Sequence, residues 1–254
     1  MTFTDLHYAD RPLLLPNAWD VASALVFAEA GFPAIGTSSM AIANSVGHPD
    51  GRGASRDATA RLARALSSLG VFVSTDIEDG YDDDPAAVAA FVEELPIAGL
   101  NIEDSVLDQL VEPQRAAAKV AAIKARRPDV FVNARVDTYW FKQDATVEAT
   151  LERARHYVGA GADGIFIPGL TDPELIRRIT SALDVPLNLL PMPGLSLDAV
   201  AELGVRRIST GSLPYRVALH SALDSATCVR DGLPLPAAVP YADLQAMLTK
   251  HAAR

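Results

Sequence analysis

The segment STDIEDGYDDDP (74–85) places Asp76 and Glu78 directly after the apolar run VFV (71–73). Side chains two residues apart on a β-strand point to the same face, so these two carboxylates are predicted to converge. Carboxylates that converge in a partly dry site repel each other unless a cation neutralises them. No histidine or cysteine lies nearby in the sequence, so the ligands are oxygens, which favour Mg²⁺ or Mn²⁺ over Zn²⁺.

The same acidic segment also suits the start of a helix, because negative side chains stabilise a helix N-terminus. We assign Asp82, Asp83 and Asp84 to such a solvated helix start. Asp76 and Glu78 remain the candidate metal ligands, and the arrangement of the strands around them must decide between the two interpretations.

Short apolar or β-branched runs alternate along the chain with longer alanine-rich segments of helical period, a pattern typical of repeated βα units. Eight candidate strands lie at 12–17, 33–38, 71–76, 99–104, 130–135, 164–169, 186–191 and 206–211. Eight candidate helices lie at 20–30, 55–69, 85–95, 113–127, 145–160, 173–183, 197–203 and 214–230. This count predicts an α/β fold of the (β/α)8 TIM-barrel type. A doubly wound sheet is the alternative, but its usual G-x-G-x-x-G fingerprint is missing.

Catalytic groups of a (β/α)8 barrel lie at the carboxyl ends of its strands. The polar residues at the predicted strand ends form an acidic mouth with one arginine, Arg135. The planar guanidinium of Arg135 suits a substrate carboxylate, and a structural ion pair with the acids is the alternative. The residues collected at these ends are Asn17, Asp20, Thr37, Ser38, Ser39, Asp76, Glu78, Asp79, Asn101, Glu103, Asp104, Asn133, Arg135, Asp137, Asn188, Ser209, Thr210 and Ser212.

A second dense stretch, GTSSMAIANSVGHPDG (36–51), follows the second predicted strand. Its small hydroxyl residues leave backbone N–H groups free to bind an anion, and Asp50 stands in a glycine-flanked loop that can reach the mouth. Glycine, serine and aspartate are also ordinary turn residues. His48 is interpreted as a loop residue.

Composition limits the partners and the compartment. The 254 residues carry a net charge of −10, which argues against nucleic acid or an anionic membrane surface as a partner and favours a small ligand. Cys228 is the only cysteine, so no intrachain disulfide or cysteine zinc cluster forms. No basic leader or long apolar segment is present, and we expect a soluble cytoplasmic protein.

No linker interrupts the βα pattern, so we expect a single barrel domain over residues 1–254. The proline-rich tail and short helical stretch at 232–254 exceed what a barrel needs for closure. We predict that this C-terminal extension packs on a neighbouring subunit.

Five motifs in order resemble the isocitrate lyase and phosphoenolpyruvate mutase superfamily, most closely its actinobacterial members of mycobacterial type. They are LPNAWDVASALVFAEAGFPAIGTSSMAIANSVGHPDG, VSTDIEDGYDDDP, GLNIEDS, FVNARVDTY and GADGIFIPG. The resemblance runs nearly end to end. It implies a barrel whose last helix is exchanged between subunits of a homodimer or homotetramer, with Mg²⁺ and an α-oxo or α-hydroxy carboxylate substrate.

The resemblance also implies roles for individual residues. Asp76 matches the principal metal ligand, Glu78 stands where a second aspartate is usual, and Glu103 matches the glutamate that binds the metal through water. Asp50 matches the loop aspartate near the metal, and Arg135 the substrate-binding arginine. The predicted catalytic set is therefore Asp50, Glu103 and Arg135, and the predicted substrate-binding set is Ser38, Ser39, Met40, Arg135 and Asn188, the last chosen from its strand end.

The chain departs from the best-known members in its lid. The lyases carry a Lys-Lys/Arg-Cys-Gly-His loop, which is missing here, and Cys228 lies far along the chain. The mutases and phosphonopyruvate hydrolases carry a long gating loop with a lysine and an asparagine, whereas SVLDQLVEPQRAAAKV (105–120) offers neither in its loop portion.

We therefore expect a Mg²⁺-dependent lyase that cleaves a C–C bond of a small α-oxo or α-hydroxy dicarboxylate, such as decarboxylation of an oxaloacetate-like compound through a metal-stabilised enolate. A phosphonomutase or P–C hydrolase is one alternative, and a non-catalytic dicarboxylate-binding protein is another. Tyr81 is a weak candidate for the proton donor, because it adjoins the metal loop.

Overall fold

A closed ring of parallel strands forms the centre of the protein, for which a computed structural model describes residues 1–253. Nine strand segments join in the order β1-β11-β10-β9-β8-β5-β4-β3-β2. The segments are β1 (Leu13–Leu15), β2 (Asn17–Ala18), β3 (Ala34–Thr37), β4 (Phe72–Asp76), β5 (Gly99–Glu103), β8 (Phe131–Arg135), β9 (Gly164–Phe166), β10 (Leu187–Leu189) and β11 (Arg207–Ser209).

The two ends of this sheet are halves of one strand. Pro16 separates β1 from β2, because proline has no N–H to donate to the ladder. Since β1 pairs with β11 and β2 pairs with β3, the sheet closes on itself as an eight-stranded barrel. All eight predicted strands are present, and the predicted (β/α)8 fold is confirmed.

Helices surround the barrel, and the eight predicted ones all form. They are α1 (Val21–Glu29), α3 (Arg56–Leu66), α4 (Pro85–Glu93), α5 (Pro113–Arg126), α7 (Val147–Gly159), α8 (Pro173–Thr180), α9 (Leu197–Ala201) and α10 (Leu213–Asp231). Further helices are a 3-10 turn (Asp5–Tyr8), α2 (Ser39–Ser45), α6 (Thr138–Phe141) and α11 (Tyr241–Ala252). None of the helices in the described residues is long and apolar enough for a membrane span.

A short antiparallel hairpin, β6 (Ser105–Val106) and β7 (Gln109–Leu110), follows β5 at the carboxyl end of the barrel. Leu107 and Asp108 form its two-residue turn with φ of 50° and 65°. Two successive positive φ angles are typical of a type I′ turn, whose twist matches that of the flanking strands. The sequence pattern does not predict this hairpin, and residues 105–110 were expected to form a loop.

The C-terminal elements lie outside the barrel wall. Helix α10 is 19 residues long, and Tyr215 is its one buried residue within the described chain. Helix α11 packs on α1 of the same chain, where Lys250 Nζ lies 3.3 Å from Glu29 Oε1. Exchange of the last helix, and packing of 232–254 on a neighbouring subunit, stay predictions.

The N-terminal segment closes the amino end of the barrel with a buried histidine, His7, that stacks on Phe131 at 4.0 Å between ring centroids. The Nδ1 of His7 lies 3.0 Å from the carbonyl oxygen of Phe3, to which the neutral ring donates. Burial, with repulsion from Arg207, lowers the pKa of His7 to about 3. His7 is therefore neutral in the folded protein at neutral pH.

We predict that His7→Phe makes stability less sensitive to acid. The unfolded chain protonates His7 below pH 6.5 and the folded protein does not, so stability is lost as pH falls from about 6.5 towards 3. Between pH 7 and pH 5 the wild type should lose about 2 kcal/mol from this residue alone. Urea unfolding at both pH values measures the difference.

The quantity compared is the change in unfolding free energy between pH 7 and pH 5. Loss of the hydrogen bond to Phe3 lowers stability equally at both pH values and so does not alter this difference. His48→Gln, at an exposed histidine, is the matched control and should keep the wild-type slope. An equal slope in His7→Phe and wild type would contradict this assignment.

Candidate active site

A cavity of about 430 Å³ opens at the carboxyl ends of β4, β5 and β8. Four of the residues that were assigned a catalytic, metal-binding or substrate-binding role line it, namely Asp50, Glu78, Glu103 and Arg135, whereas Asp76 is not in the lining. The other lining residues are Gly51, Arg52, Gly53, Asp79, Tyr81, Asp82, Asp83, Ser105, Val106, Leu107, Asp108, Trp140 and Phe141. The cavity is thus strongly acidic and is covered on one side by the β6–β7 hairpin.

Strand register creates the central ion pair of this cavity. Glu103 stands opposite Arg135 in the β5–β8 ladder, and Arg135 Nη1 donates to Glu103 Oε1 at 2.5 Å. Arg135 Nε donates to the fully buried Asp137 at 2.6 Å. Burial alone would lower the pKa of Arg135, but attraction to Asp137, Glu103 and Asp76 outweighs it and raises that pKa. Arg135 is therefore a permanent cation.

The remaining acids of the mouth are short of positive charge. Burial raises the pKa of Asp50, and repulsion by Asp76 raises it further. The pKa of Glu78 and that of Glu103 are also raised, in each case mainly by burial and further by the neighbouring carboxylates. Attraction to Arg135 lowers the pKa of Asp50 and that of Glu103 in part, but it does not offset the burial and the repulsion, so an added cation would stabilise the ionised site.

Asp76 ends β4 and is held by the start of α2. Its Oδ2 accepts from the Ser39 backbone N–H at 3.1 Å and from Ser39 Oγ at 2.9 Å. Ser39 Oγ also lies 3.5 Å from Asp50 Oδ1, and Ser38 caps α2 through Ala41 N–H. The structure brings this predicted segment next to Asp76, although Ser38, Ser39 and Met40 do not line the cavity.

The strand alternation from which Glu78 was predicted to converge with Asp76 does not extend to Glu78, although the two carboxylates do repel each other. Strand β4 ends at Asp76, and Glu78 has φ of 50°, so the two-residue alternation of the strand no longer applies. Its side chain accepts from Ser55 Oγ at 2.5 Å and from the Gly53 backbone N–H at 2.9 Å. Glu78 therefore holds the 53–55 loop with both carboxylate oxygens.

A buried lysine that the sequence analysis missed anchors the turn after Glu78. Lys119 on α5 donates to the carbonyl oxygen of Asp79 at 2.8 Å and to its carboxylate at 3.0 Å. Tyr81 is packed against Phe91, and its hydroxyl lies 2.9 Å from Ser55 Oγ. Burial raises the pKa of Tyr81 above its ordinary value, which makes it a poor proton donor.

The acids after Tyr81 form the predicted helix start. Asp84 caps α4 by accepting from the Ala86 backbone N–H at 3.0 Å, and Pro85 occupies the first turn. Asp83 pairs with Arg115 at the surface. Asp82, Asp83 and Asp84 are exposed, as the solvated interpretation requires.

Asn188 is not brought to the cavity, so its predicted contact with substrate is not supported. It lies buried inside the barrel, where its Nδ2 donates to Ser209 Oγ at 3.1 Å. In the same interior, Arg207 reaches across the barrel to Asn101 Oδ1 at 3.1 Å. Burial lowers the pKa of Arg207 to about 9. Its signal in the sequence was a charged residue at an inward position of the strand 206–211.

The donor set was tested against a divalent metal. No group of three or more Asp, Glu, His or Cys side chains within residues 1–253 is arranged to hold a metal ion. Mg²⁺, however, commonly takes only one or two carboxylates and keeps several waters. Asp76 fits a direct ligand because its Oδ1 accepts only the 3.3 Å contact from Glu78 N–H. Asp50 and Asp76 lie near each other, because both contact Ser39 Oγ, at 3.5 Å and 2.9 Å. The oxygen-only donor set therefore fits Mg²⁺ with water-mediated partners, among which Glu103 is the further carboxylate repelled by both.

Residues 3–230, nearly the whole barrel, match the family model of phosphoenolpyruvate phosphomutase. The chain belongs to the isocitrate lyase and phosphoenolpyruvate mutase superfamily. An uncharacterised protein of Mycobacterium tuberculosis H37Rv is 52% identical over 251 residues, covering 99% of this chain and 97% of that protein. This relative agrees with the mycobacterial-type resemblance of the motifs.

Two further relatives cover most of the chain. The oxaloacetate decarboxylase of Pseudomonas fluorescens SBW25 is 30% identical over 88% of this chain and 82% of that enzyme. A Burkholderia cenocepacia J2315 protein, provisionally assigned as a phosphonomutase, has a crystal structure that is 36% identical. That structure superposes with a TM-score of 0.84 over 89% of this chain and 97% of that one. Members with different chemistries thus share this barrel.

This superfamily member has neither the long gating loop of the mutases nor the cysteine-containing loop of the lyases in the part of the chain that the structure describes. The β6–β7 hairpin occupies the place of a long gating loop and carries no lysine or asparagine. Cys228 is half-buried on α10 and is absent from the cavity lining in the described chain. A cysteine acid is therefore not part of this site.

We predict that Mg²⁺ stabilises the wild type and fails to stabilise Asp76→Asn. A ligand that binds only the folded state raises stability by about 2.7 kcal/mol at one hundred times its Kd. Without metal, Asp76→Asn should be at least as stable as wild type, because it removes one of the repelling carboxylates. Thermal unfolding with Mg²⁺ and with EDTA measures both effects.

Asp84→Asn is the matched control, because this exposed aspartate lies on the same acidic segment outside the cavity lining, and asparagine can still cap α4. It should respond to Mg²⁺ like the wild type. An unchanged Mg²⁺ response in Asp76→Asn would remove Asp76 from the metal site.

Proposed function

We propose that the protein is a Mg²⁺-dependent carbon–carbon lyase acting on a small α-oxo or α-hydroxy dicarboxylate, with decarboxylation of an oxaloacetate-like compound as the specific reaction. One observation carries this proposal. The cavity gathers Asp50 and the Glu103–Arg135 pair at one barrel mouth, and its lining in the described chain contains no cysteine, histidine or lysine. Such a lining suits binding and charge stabilisation rather than covalent catalysis.

Arg135 is the group that we assign to the substrate carboxylate. Asp137 holds its Nε from a fully buried position, which fixes the plane of the guanidinium. Glu103 occupies Nη1, and both side chains line the cavity. A substrate carboxylate that reaches Arg135 would share it with Glu103, and the planar fork suits such a bidentate contact.

Asp76, with Asp50 and Glu103 acting through water, would hold the metal. Bound Mg²⁺ would supply positive charge to the oxo and carboxylate oxygens of the substrate and so favour the enolate form of the product. In a decarboxylation, the bond between the leaving carboxylate and its neighbouring carbon breaks, and CO₂ departs. The electron pair of that bond enters the enolate, which takes one proton from water to give the α-oxo acid.

Phosphorus chemistry is the second candidate, and the comparisons support it. The matching family model describes a phosphomutase, and the Burkholderia structure is provisionally assigned to the same chemistry. The short hairpin argues against a mutase, because phosphoryl transfer without hydrolysis requires that water be excluded from the site, but it does not argue against a P–C hydrolase.

The test is a turnover panel followed by proton and phosphorus NMR. Oxaloacetate, methylisocitrate, isocitrate, phosphonopyruvate and phosphoenolpyruvate are each incubated with the purified protein and Mg²⁺. We expect pyruvate from oxaloacetate above the uncatalysed background, loss of that product with EDTA, and loss in Asp76→Asn. Arg135→Lys should also reduce turnover at least about tenfold, because it removes the bidentate contact.

Asp84→Asn, at an exposed aspartate outside the cavity lining, controls for general effects of removing an acid and should retain the wild-type rate. Rearranged phosphonate or inorganic phosphate would instead establish the phosphorus chemistry. Absence of turnover on all five compounds, with Mg²⁺-dependent line broadening of one of them, would support a non-catalytic dicarboxylate-binding protein and contradict the lyase proposal.

A further inference from the structure

The cavity has a second arginine that the proposed chemistry does not use. Arg52 lines the cavity, its side chain is 48% exposed, and the structure gives it no hydrogen bond within residues 1–253. Its one ion-pair partner is Asp108 on the hairpin turn, with Nη2 to Oδ2 at 3.7 Å. That distance is too long for a hydrogen bond, and both side chains reach solvent, so the contact is weak.

Arg135, the other cation of the lining, is already engaged. Its Nη1 and Nε both donate to carboxylates at 2.5 Å and 2.6 Å. Arg52 therefore has the donors that an incoming anion can use without breaking a short ion pair. Guanidinium groups bind carboxylates through two parallel N–H donors, which suits this exposed position.

The backbone on both sides of Arg52 is tied to the proposed metal site. Gly53 N–H donates to Glu78 Oε2 at 2.9 Å, and Asp50 lies 3.5 Å from Ser39 Oγ, which itself donates to Asp76. The backbone of Arg52 is thus fixed on the rim of the cavity relative to the carboxylates. Within the described residues, its side chain makes no hydrogen bond and has only the weak ion pair with Asp108.

The excess of negative charge in the cavity suggests a role for Arg52. Seven acidic residues line the cavity, and Arg52 and Arg135 are the two cationic ones in the described lining. A monoanion can be neutralised by the metal and Arg135, but a second carboxylate on the same substrate would face the remaining acids. That carboxylate needs a further cation on the rim, and Arg52 is the one available.

We propose that Arg52 binds the distal carboxylate of the substrate and thereby selects dicarboxylates over monocarboxylates, with Asp108 as the internal group that the substrate displaces. This inference rests on the proposed function for the location of the first carboxylate. It concerns recognition, so binding tests it without any turnover.

The experiment uses lactate and malate, since malate is lactate with one additional carboxylate. Titration calorimetry with Mg²⁺ present compares wild type, Arg52→Gln and Asp108→Asn. We expect the wild type to bind malate about tenfold more tightly than lactate, as for a hydrogen-bonded charge pair. Arg52→Gln should abolish this preference without changing lactate or Mg²⁺ affinity. Asp108→Asn should increase malate affinity, because it removes the competing carboxylate.

Arg56→Gln is the matched control, since Arg56 is a neighbouring exposed arginine outside the cavity lining. It should keep the wild-type preference. Thermal unfolding of each variant without ligand verifies folding.

A wild type that binds neither acid, or binds both equally, would overturn the inference, as would an Arg52→Gln variant that retains the preference. Turnover of oxaloacetate with such a result would leave the lyase proposal intact. Conversely, an Arg52-dependent preference without any turnover would support this site and contradict the lyase proposal.

Discussion

Repulsion among carboxylates in a partly dry mouth is the constraint on which the site depends. The register of β5 and β8 reduces this repulsion in part, because it places Glu103 opposite Arg135. Buried ion pairs contribute little net stability, because the desolvation of both ions offsets their attraction. The pair therefore serves to arrange charge rather than to hold the barrel together. Arg135 does not compensate all of the negative charge, and the pKa of Asp50 is therefore raised. This remaining negative charge is the electrostatic reason for the site to bind a cation.

The turn after β4 connects the acidic site to the neighbouring 50–55 loop. Glu78 adopts a left-handed backbone, which costs about 1–3 kcal/mol for a residue other than glycine. Its contacts with Ser55 and Gly53, and the anchoring of Asp79 by the buried Lys119, offset that cost. As a result the 50–55 loop is attached to the strand end that carries Asp76, and the rim moves with the site. A glutamate can make these two contacts because it reaches one methylene farther than an aspartate.

The sequence predicted those parts of the structure that follow from short-range periodicity. Apolar runs such as VFV located the strands, and Glu103 and Arg135 were both placed at strand ends, whereas their pairing in register is known only from the structure. The turn at Glu78 was not predicted, because alternation holds only while the strand continues and a positive φ is not visible in the pattern. Ser55 lies 23 positions from its partner Glu78, and Lys119 lies 40 positions from its partner Asp79, so no local sequence pattern indicates these contacts. The β6–β7 hairpin escaped notice because its strands are two residues each.

The short hairpin is consistent with a cavity lining that, in the described part of the chain, has no cysteine, histidine or lysine to donate a proton. Leu107 at its turn is 57% exposed and Trp140 beside it is 49% exposed, so the cover leaves the cavity open to solvent. An open cavity fails to protect an intermediate from water, which is a defect for a transfer between carbon and phosphorus. For decarboxylation, however, water is the reagent that completes the reaction, because the enolate carbon needs one proton. A site without a cysteine, histidine or lysine in its lining thus still has a proton source, and the same openness that weakens the case for a mutase supports the case for a lyase.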